Sequence, residues 1–466
     1  MSRMPKEHIH ASEDAHGKVS FKEQVAYGLG DGATGIAGVT IASFAMYYYT
    51  DVIGVSAALL GTILFFTRFF DAITNIIMGY IVDRTNSKHG RARPWILWTM
   101  IPFGLSLILV FSASPSWDQT TILLFALVSH NIYFLVYTAS NIPYGTLGAL
   151  ITQDPTQRNH LNILRMISYF SVMMVISAVT LPFVNWLGGE PRSWQLVMTI
   201  YAILLVIVFS VTFFFTKERV QPVREKTNKA KPSAEASFYV LFTNKYWLIL
   251  LAIMLLGWSV LGIFQGAGVY YADYILDDPN LVGPLNLFFT LPLLAGFFLT
   301  PLIIKKFGRR KTIASGLILL IVGSVLMTFD SQNLVIIFTG SLIRSIGFAP
   351  LLGSAYAMLA DTIDYGEWKK GIRNDGLVYS GGTFSTVLGG GVASGGIGWL
   401  LGLAGYVSGN VSEQPDNVYS MIEFLFIYAP IIFSLFILLL LYFYNLDKLH
   451  PKISEDLRKM AVREGS

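Results

Sequence analysis

Long apolar stretches alternate with short polar ones along nearly the whole chain, and that pattern dominates the reading. Runs near the length needed to cross a bilayer, roughly twenty residues each, lie near 25–50, 55–82, 95–114, 119–150, 160–187 and 194–216. A Lys/Glu/Pro-rich segment from Lys217 to about Ala236 interrupts the series. Six more runs follow near 245–276, 281–304, 312–329, 333–360, 374–406 and 420–446. Numbered 1 to 12 in chain order, these predict an all-α integral membrane protein of two six-helix halves. The expected divisions are an N-terminal tail over 1–22, a first half over 23–216, a central loop over 217–240, a second half over 241–446 and a C-terminal tail over 447–466. That last tail is polar and predicts a short amphipathic helix.

Lys and Arg sort to alternate loops, which sets an orientation. The N-terminal tail holds Arg3, Lys6, Lys18 and Lys22, and the loop after helix 2 holds Arg84, Lys88, Arg91 and Arg93. The central loop, the loop after helix 8 (Lys305 to Lys311) and the C-terminal tail are basic as well. The intervening loops, such as Asp51–Ser56, Ser114–Gln119 and Ser408–Asn417, are nearly free of basic residues, Arg192 being the clear exception. Both termini are therefore expected in the cytoplasm. The basic loops after helices 2 and 8 sit at matching places in the two halves.

Composition agrees with the pattern. Hydrophobic residues make up 53% of the chain and charged residues only 13%, against about a quarter charged in soluble domains, and the mean hydropathy is +0.56. The net charge of +4 belongs to the basic loops and gives no reason to expect a nucleic-acid partner. With no cysteine there are no disulfides or thiolate metal sites. His8, His10 and His16 lie in a polar tail without ligand-like spacing, and the first 22 residues lack the apolar stretch of a signal peptide. No nucleotide-binding motif is present. The glycines Gly389, Gly390, Gly391, Gly395 and Gly396 of helix 11 are expected to permit close helix packing. Tyr47, Tyr48 and Tyr49 ending helix 1, and Trp95 and Trp98 starting helix 3, are expected to form interfacial belts. Asn410-Val-Ser412 has the form of a glycosylation sequon.

An ionisable side chain inside an apolar span costs at least ~2.5–3.5 kcal/mol, so each needs a reason. Those in the spans are Asp31, Arg68, Asp71, Arg165 and Arg344. On helix 2, Arg68, Asp71 and Asn75 fall at i, i+3 and i+7 and so share a face. Arg68 and Asp71 are close enough to pair, either as a fixed structural ion pair or as part of a binding site. On helix 4, Thr138, Asn141 and Gly145 share a face beside Tyr137. Pro143 frees a carbonyl there, for a ligand or simply as a packing kink. Arg165 offers a planar fork of donors suited to vicinal hydroxyls or a carboxylate, or it snorkels to the headgroups. Asp31 and a helix-11 carbonyl are the candidate partners for Arg344.

Several segments resemble the glycoside–pentoside–hexuronide:cation symporters of the major facilitator superfamily, the family that includes melibiose permease. They are Tyr27-Gly-Leu-Gly-Asp31, Tyr48-Tyr-Thr-Asp51, Arg68-x-x-Asp71-Ala, Gly90-Arg-Ala-Arg-Pro94-Trp95, Asn141-Ile-Pro-Tyr144-Gly, Ala360-Asp361-Thr-Ile-Asp364-Tyr365-Gly366-Glu367-Trp368 after helix 10, and Arg373-x-Asp375-Gly. The resemblance implies a sugar carrier working by alternating access between its halves. It also implies a cation site shared by helices 2 and 4 next to the sugar, with Asp71 and Thr138 as cation contacts and Arg165 as a sugar contact. Asn75 stands where the family usually has a second cation-site Asp, and Asn141 where melibiose carriers have a sugar-bonding Asp. Val387 replaces a common Lys, and Gly35 replaces a melibiose-binding Asp.

These departures remove one negative and one positive group from the implied pocket. The cation contacts are then Asp71, Asn75 and Thr138. The solute contacts are Asp31, Arg68, Tyr137, Asn141, Gly145 and Arg165. Desolvation disfavours the charged form of a carboxylate, so a lone acid suits a proton, and H⁺ is favoured over Na⁺ as the coupling ion. No metal is expected beyond Na⁺ at Asp71, and no cofactor. The expected function is symport of a pentoside, xyloside, other disaccharide or glucuronide. An uncoupled uniporter or exchanger, and a non-transporting sensor, are the alternatives.

Overall fold

The computed structural model describes residues 19–152, 154–220, 239–372, 374–409 and 414–464. The histidines of the N-terminal tail, most of the central loop, Arg373 and the Asn410–Ser412 sequon lie outside the described residues. Twelve helices among the described residues are long and apolar enough to cross a membrane. The chain forms two compact units, Met1–Lys226 with Ser408–Val411, and Thr227–Val407 with Ser412–Ser466.

The first unit contains α1 (Phe21–Val52), α2 (Ala57–Arg84), α3 (Arg93–Val110), α4 (Gln119–Ile151), α5 (Pro155–Trp186) and α6 (Pro191–Phe215). Helix α1 packs along α5 and α6, α2 along α4, and α3 along α4 and α6. Small residues bring α1 and α5 together. Gly28, Gly32 and Gly35 recur at i, i+4 and i+7, and a Cβ on Gly28 or Gly32 would stand 2.9 Å from the Leu164 Cβ or 2.6 Å from the Ser168 hydroxyl. Backbones that close need glycine, as in other membrane helix pairs.

The last turn of α1, Tyr48–Val52, is a π-helix. It carries Tyr48 and Tyr49 into the unit, where both are fully buried, and this corrects the expected interfacial position. The Tyr48 hydroxyl donates to the carbonyls of Phe111 and Ala113 at 3.0 and 3.1 Å, and that of Tyr49 to Val110 at 2.8 Å. The bonds to Val110 and Phe111 occupy carbonyls that the end of α3 leaves without intrahelical donors.

The second unit contains α7 (Lys245–Ile275), α8 (Pro279–Phe307), α9 (Arg309–Met327), α10 (Leu334–Lys370), α11 (Asp375–Leu403), α12 (Asp416–Phe443) and the amphipathic α13 (Leu446–Glu464). It repeats the pairings of the first: α7 with α11 and α12, α8 with α10, α9 with α10 and α12. The repeat extends to detail, since α7 also closes in a π turn, Tyr271–Ile275, and Tyr270-Tyr271-Ala-Asp273 matches Tyr48-Tyr49-Thr-Asp51. Gly389 of α11 lies against α7, its Cβ position 2.6 Å from the Leu255 carbonyl, while the Ser259 hydroxyl donates to the Gly389 carbonyl.

Helix α10 runs on through Lys370, so Asp361 and Asp364 lie on a helix and not on a segment after it. Their polarity suggested a helix end, but packed partners sustain the extension. Arg309 pairs with Asp361, and His450 of α13 sits 3.4 Å from Asp361 and 3.2 Å from Asp364. Trp368 donates to Asp456 of α13 at 3.1 Å.

Candidate functional site

The first unit gathers the sequence-predicted residues into two polar clusters, one on the α2–α4 seam and one on the α1–α5 seam. Helix spacing sets up the first. Asp71 and Asn75 stand one turn apart on α2, and the α2–α4 packing brings Thr138 opposite them. The Asp71 carboxylate is buried, with 1% of its surface exposed. Its Oδ1 accepts from the Thr138 hydroxyl at 2.7 Å and from Asn75 Nδ2 at 3.0 Å. The same Asn75 amide donates to the Asp71 carbonyl at 2.7 Å and approaches Thr138 Oγ1 at 3.3 Å. Arg68 reaches Oδ2 at 3.8 Å, a looser ion pair, and its guanidinium lies over the Phe134 ring at 4.1 Å. One turn away, Asn131 of α4 donates to Thr67 at 3.4 Å. Thus three donors converge on one carboxylate. Among the described residues no three His, Asp or Glu side chains stand together as a metal cluster.

The glycine face of α1 produces the second cluster, because it lets Asp31 approach Arg165 on α5. The two meet as a fork: Nε to Oδ2 at 3.2 Å and Nη2 to Oδ1 at 3.3 Å. The remaining arm, Nη1, donates to the Tyr27 hydroxyl at 3.4 Å. The guanidinium lies 4.8 Å from the centre of the Tyr144 ring, and Tyr144 donates to the Tyr27 carbonyl at 2.7 Å. Asp31 also accepts from Thr34 at 3.4 Å. Arg165 is therefore held inside the bundle and does not snorkel. Asp31 is its partner; within the second unit Arg344 donates to the Phe426 carbonyl on α12, and among the described residues it makes no bond to the helix-11 carbonyl named as a candidate.

Helix α4 runs between the two clusters. The Tyr137 ring stacks on Tyr133 with centroids 6.1 Å apart. Asn141 is half-buried, and its amide has no protein partner among the described residues. Gly145 faces open space, with nothing within 4 Å of the position a Cβ would take. Pro143 is buried inside a continuous α4. The face Thr138, Asn141, Gly145 thus offers in turn a hydroxyl bound to Asp71, a free amide and a gap. This arrangement can exchange hydrogen bonds with a polyhydroxylated solute at Asn141 and change the charge state of the polar centre at Asp71.

Tyr27 and Tyr144 were absent from the sequence-based set. A signal for Tyr27 existed, since it precedes Asp31 by one turn and so shares its face. Tyr144 follows Asn141 by three residues and turns instead toward α1.

A family model described as MFS/sugar transport protein matches residues 26–448. The isoprimeverose transporter of Lactiplantibacillus pentosus is 32% identical over 455 residues, which cover 96% of this chain and 93% of that one. The putative glycoside/cation symporter YagG of Escherichia coli (strain K12) is 30% identical, with 96% and 97% covered. A solved structure concerning proton dependent oligopeptide transporters shares the fold, with TM-score 0.65 at 11% identity over 93% of this chain and 99% of that one.

Proposed function

Because this chain belongs to the MFS/sugar transport protein family, within its glycoside–pentoside–hexuronide:cation symporters, we propose that it takes up a glycoside by cation symport, with H⁺ favoured over Na⁺. It is a membrane transporter and not an enzyme. The observation behind the choice of ion is the composition of the α2–α4 cluster: one buried carboxylate, Asp71, whose three side-chain neighbours are all hydrogen-bond donors. Hard cations are bound by several oxygen ligands, with carboxylates prominent among them. To admit Na⁺ here, Asn75 would have to turn its carbonyl oxygen inward, and Asp71 would supply the only charge. A proton needs only Asp71 itself. Its uptake releases Arg68 and gives Asp71 one O–H, which can donate to the Thr138 hydroxyl oxygen in place of the bond that Thr138 now donates, a local change that solute binding along α4 can sense.

In this reading Asn141 bonds the solute, Gly145 leaves room for it, and Tyr137 presents a ring face. Asp31 fixes the orientation of Arg165, and the arms of Arg165 exchange Tyr27 or Asp31 for solute hydroxyls. The relatives named for isoprimeverose and for glycosides support a pentoside or xyloside, and Arg165 would also suit the carboxylate of a glucuronide. The distribution of basic loops supports a bacterial cytoplasmic membrane location with both termini in the cytoplasm.

A second reading follows from the Arg68–Asp71 pair. Should Arg68 hold Asp71 ionised throughout, the protein is an exchanger or uniporter. The test is a thermal-shift screen of purified protein against mono- and disaccharides at two pH values, with and without Na⁺. We expect stabilisation by xylosides that depends on pH and not on Na⁺. A Na⁺ requirement would overturn the choice of proton, and stabilisation independent of both would favour the exchanger.

A further inference from the structure

The second unit contains a buried charge that the transport reading leaves unused. Arg344, on α10, is 3% exposed, and among the described residues no carboxylate pairs with it. Its Nη1 donates to the Phe426 carbonyl at 2.9 Å, within the π turn Phe424–Tyr428 of α12. Its Nε and Nη2 are buried with no partner among the described residues. Around the guanidinium stand three aromatic rings from three helices: Phe426 at 4.4 Å, Phe264 of α7 at 4.8 Å and Phe289 of α8 at 6.0 Å.

Other buried polar atoms on α8 and α10 are also bare among the described residues. The Ser345 hydroxyl bonds the Phe289 carbonyl and so fixes the register of α10 against α8. Thr290, next to Phe289, has a buried hydroxyl without a partner, as does Ser341, one turn from Arg344 on the same face. Asn286, one turn before Thr290, leaves its Oδ1 bare and is the one acceptor of the set. All four residues are buried.

A guanidinium stays charged in a protein interior. Left without a counter-charge it is costly to bury, and cation–π contacts offset part of that cost without neutralising the charge. We propose that the unpartnered edge of the Arg344 guanidinium binds a small monovalent inorganic anion, with chloride as the fitting chemistry. Nε and Nη2 supply two charged donors, and the Ser341 hydroxyl, one turn away on the same helix face, supplies one that rotates to meet the ion. A monatomic ion suits a centre this enclosed, whereas a sugar or organic acid would have to part the three rings. The bound anion neutralises Arg344 and so secures its hold on the π turn of α12, joining α7, α8, α10 and α12. Ordered water would satisfy the hydroxyls but would leave the charge unbalanced.

The test is the unfolding midpoint of the full-length carrier in detergent, titrated with sodium chloride, sodium bromide or sodium gluconate at constant ionic strength. We expect a saturable rise of several degrees with chloride and bromide and none with gluconate. Arg344→Gln should abolish the difference, and Ser341→Ala should weaken apparent halide affinity severalfold. Equal midpoints in all three salts would leave only water in the pocket and overturn the proposal, as would a halide effect that survives Arg344→Gln. Should that variant fail to fold, anomalous scattering from bromide-soaked crystals of the unaltered protein decides. A peak in contact with the Arg344 guanidinium supports the site, and its absence there overturns it.

Discussion

Replacing Asp31 and Arg165 singly and together measures how far the α1–α5 fork holds the candidate solute site. Asp31→Asn removes the charge that Arg165 faces, and Arg165→Gln leaves Asp31 without its fork. Hydrogen bonds to charged groups contribute about 1.5–3 kcal/mol each. The two here, at 3.2 and 3.3 Å, are longer than the 2.7–2.9 Å of strong charged pairs. Their side chains also remain 24% and 16% exposed, so the fork as a whole should couple by about 2 kcal/mol. For a unit of roughly 200 residues that corresponds to a fall in unfolding midpoint of about 4–8 °C for each single variant. The double variant should fall no further than the worse single one, because neither then leaves an orphaned charge. The assay is the unfolding midpoint of the purified carrier, with the four proteins forming a double-mutant cycle. Additive losses, with a coupling under about 0.5 kcal/mol, would refute the claim that Asp31 orients Arg165.

Three further outcomes are expected. Asn75→Asp puts a second carboxylate beside Asp71 and should make uptake respond to Na⁺, read as Na⁺-stimulated accumulation of labelled solute in vesicles. Gly148→Ala places a Cβ against the Tyr27 hydroxyl, displacing it from Arg165; it should destabilise by about 1–3 kcal/mol and reduce solute affinity, both measurable by thermal shift. His450→Ala removes the contacts to Asp361 and Asp364 and should speed amide hydrogen exchange in α13 while leaving α1–α6 unchanged.

The twelve spans are legible because each apolar run is long and its neighbouring loops are marked by charge or by turn residues. Their ends are less so. Asp361, Asp364 and Glu367 read as the close of helix 10, yet α10 continues through them. The partners that sustain it, Arg309 and His450, lie 52 and 86 to 89 residues away in sequence. Tyr48 and Tyr49 have the composition of an interfacial belt. Only the π turn, which shifts the angular position of both rings, explains why they face α3, and no 3.6-residue periodicity contains that shift. The Asp71–Asn75 contact follows from a spacing of four on one helix, whereas the approach of Thr138 depends on how α2 packs along α4. The Asp31–Arg165 fork spans 134 residues. Its one local trace is the glycine face of α1, whose function as a close-packing surface gives no hint of what it faces. Arg344 is the extreme case, since around it stand aromatic rings from three separate helices that carry no charge pattern at all.

Simultaneous recording of solute entry and external pH in energised vesicles, for the unaltered carrier and for Asp71→Asn, tests the central claim most directly. The account predicts that the unaltered carrier alkalinises the medium as a xyloside enters and accumulates it against a gradient. Asp71→Asn should lose both the pH change and the accumulation while still exchanging internal for external solute. Accumulation by Asp71→Asn at the rate of the unaltered protein, or accumulation driven by Na⁺ with no pH change, would contradict it.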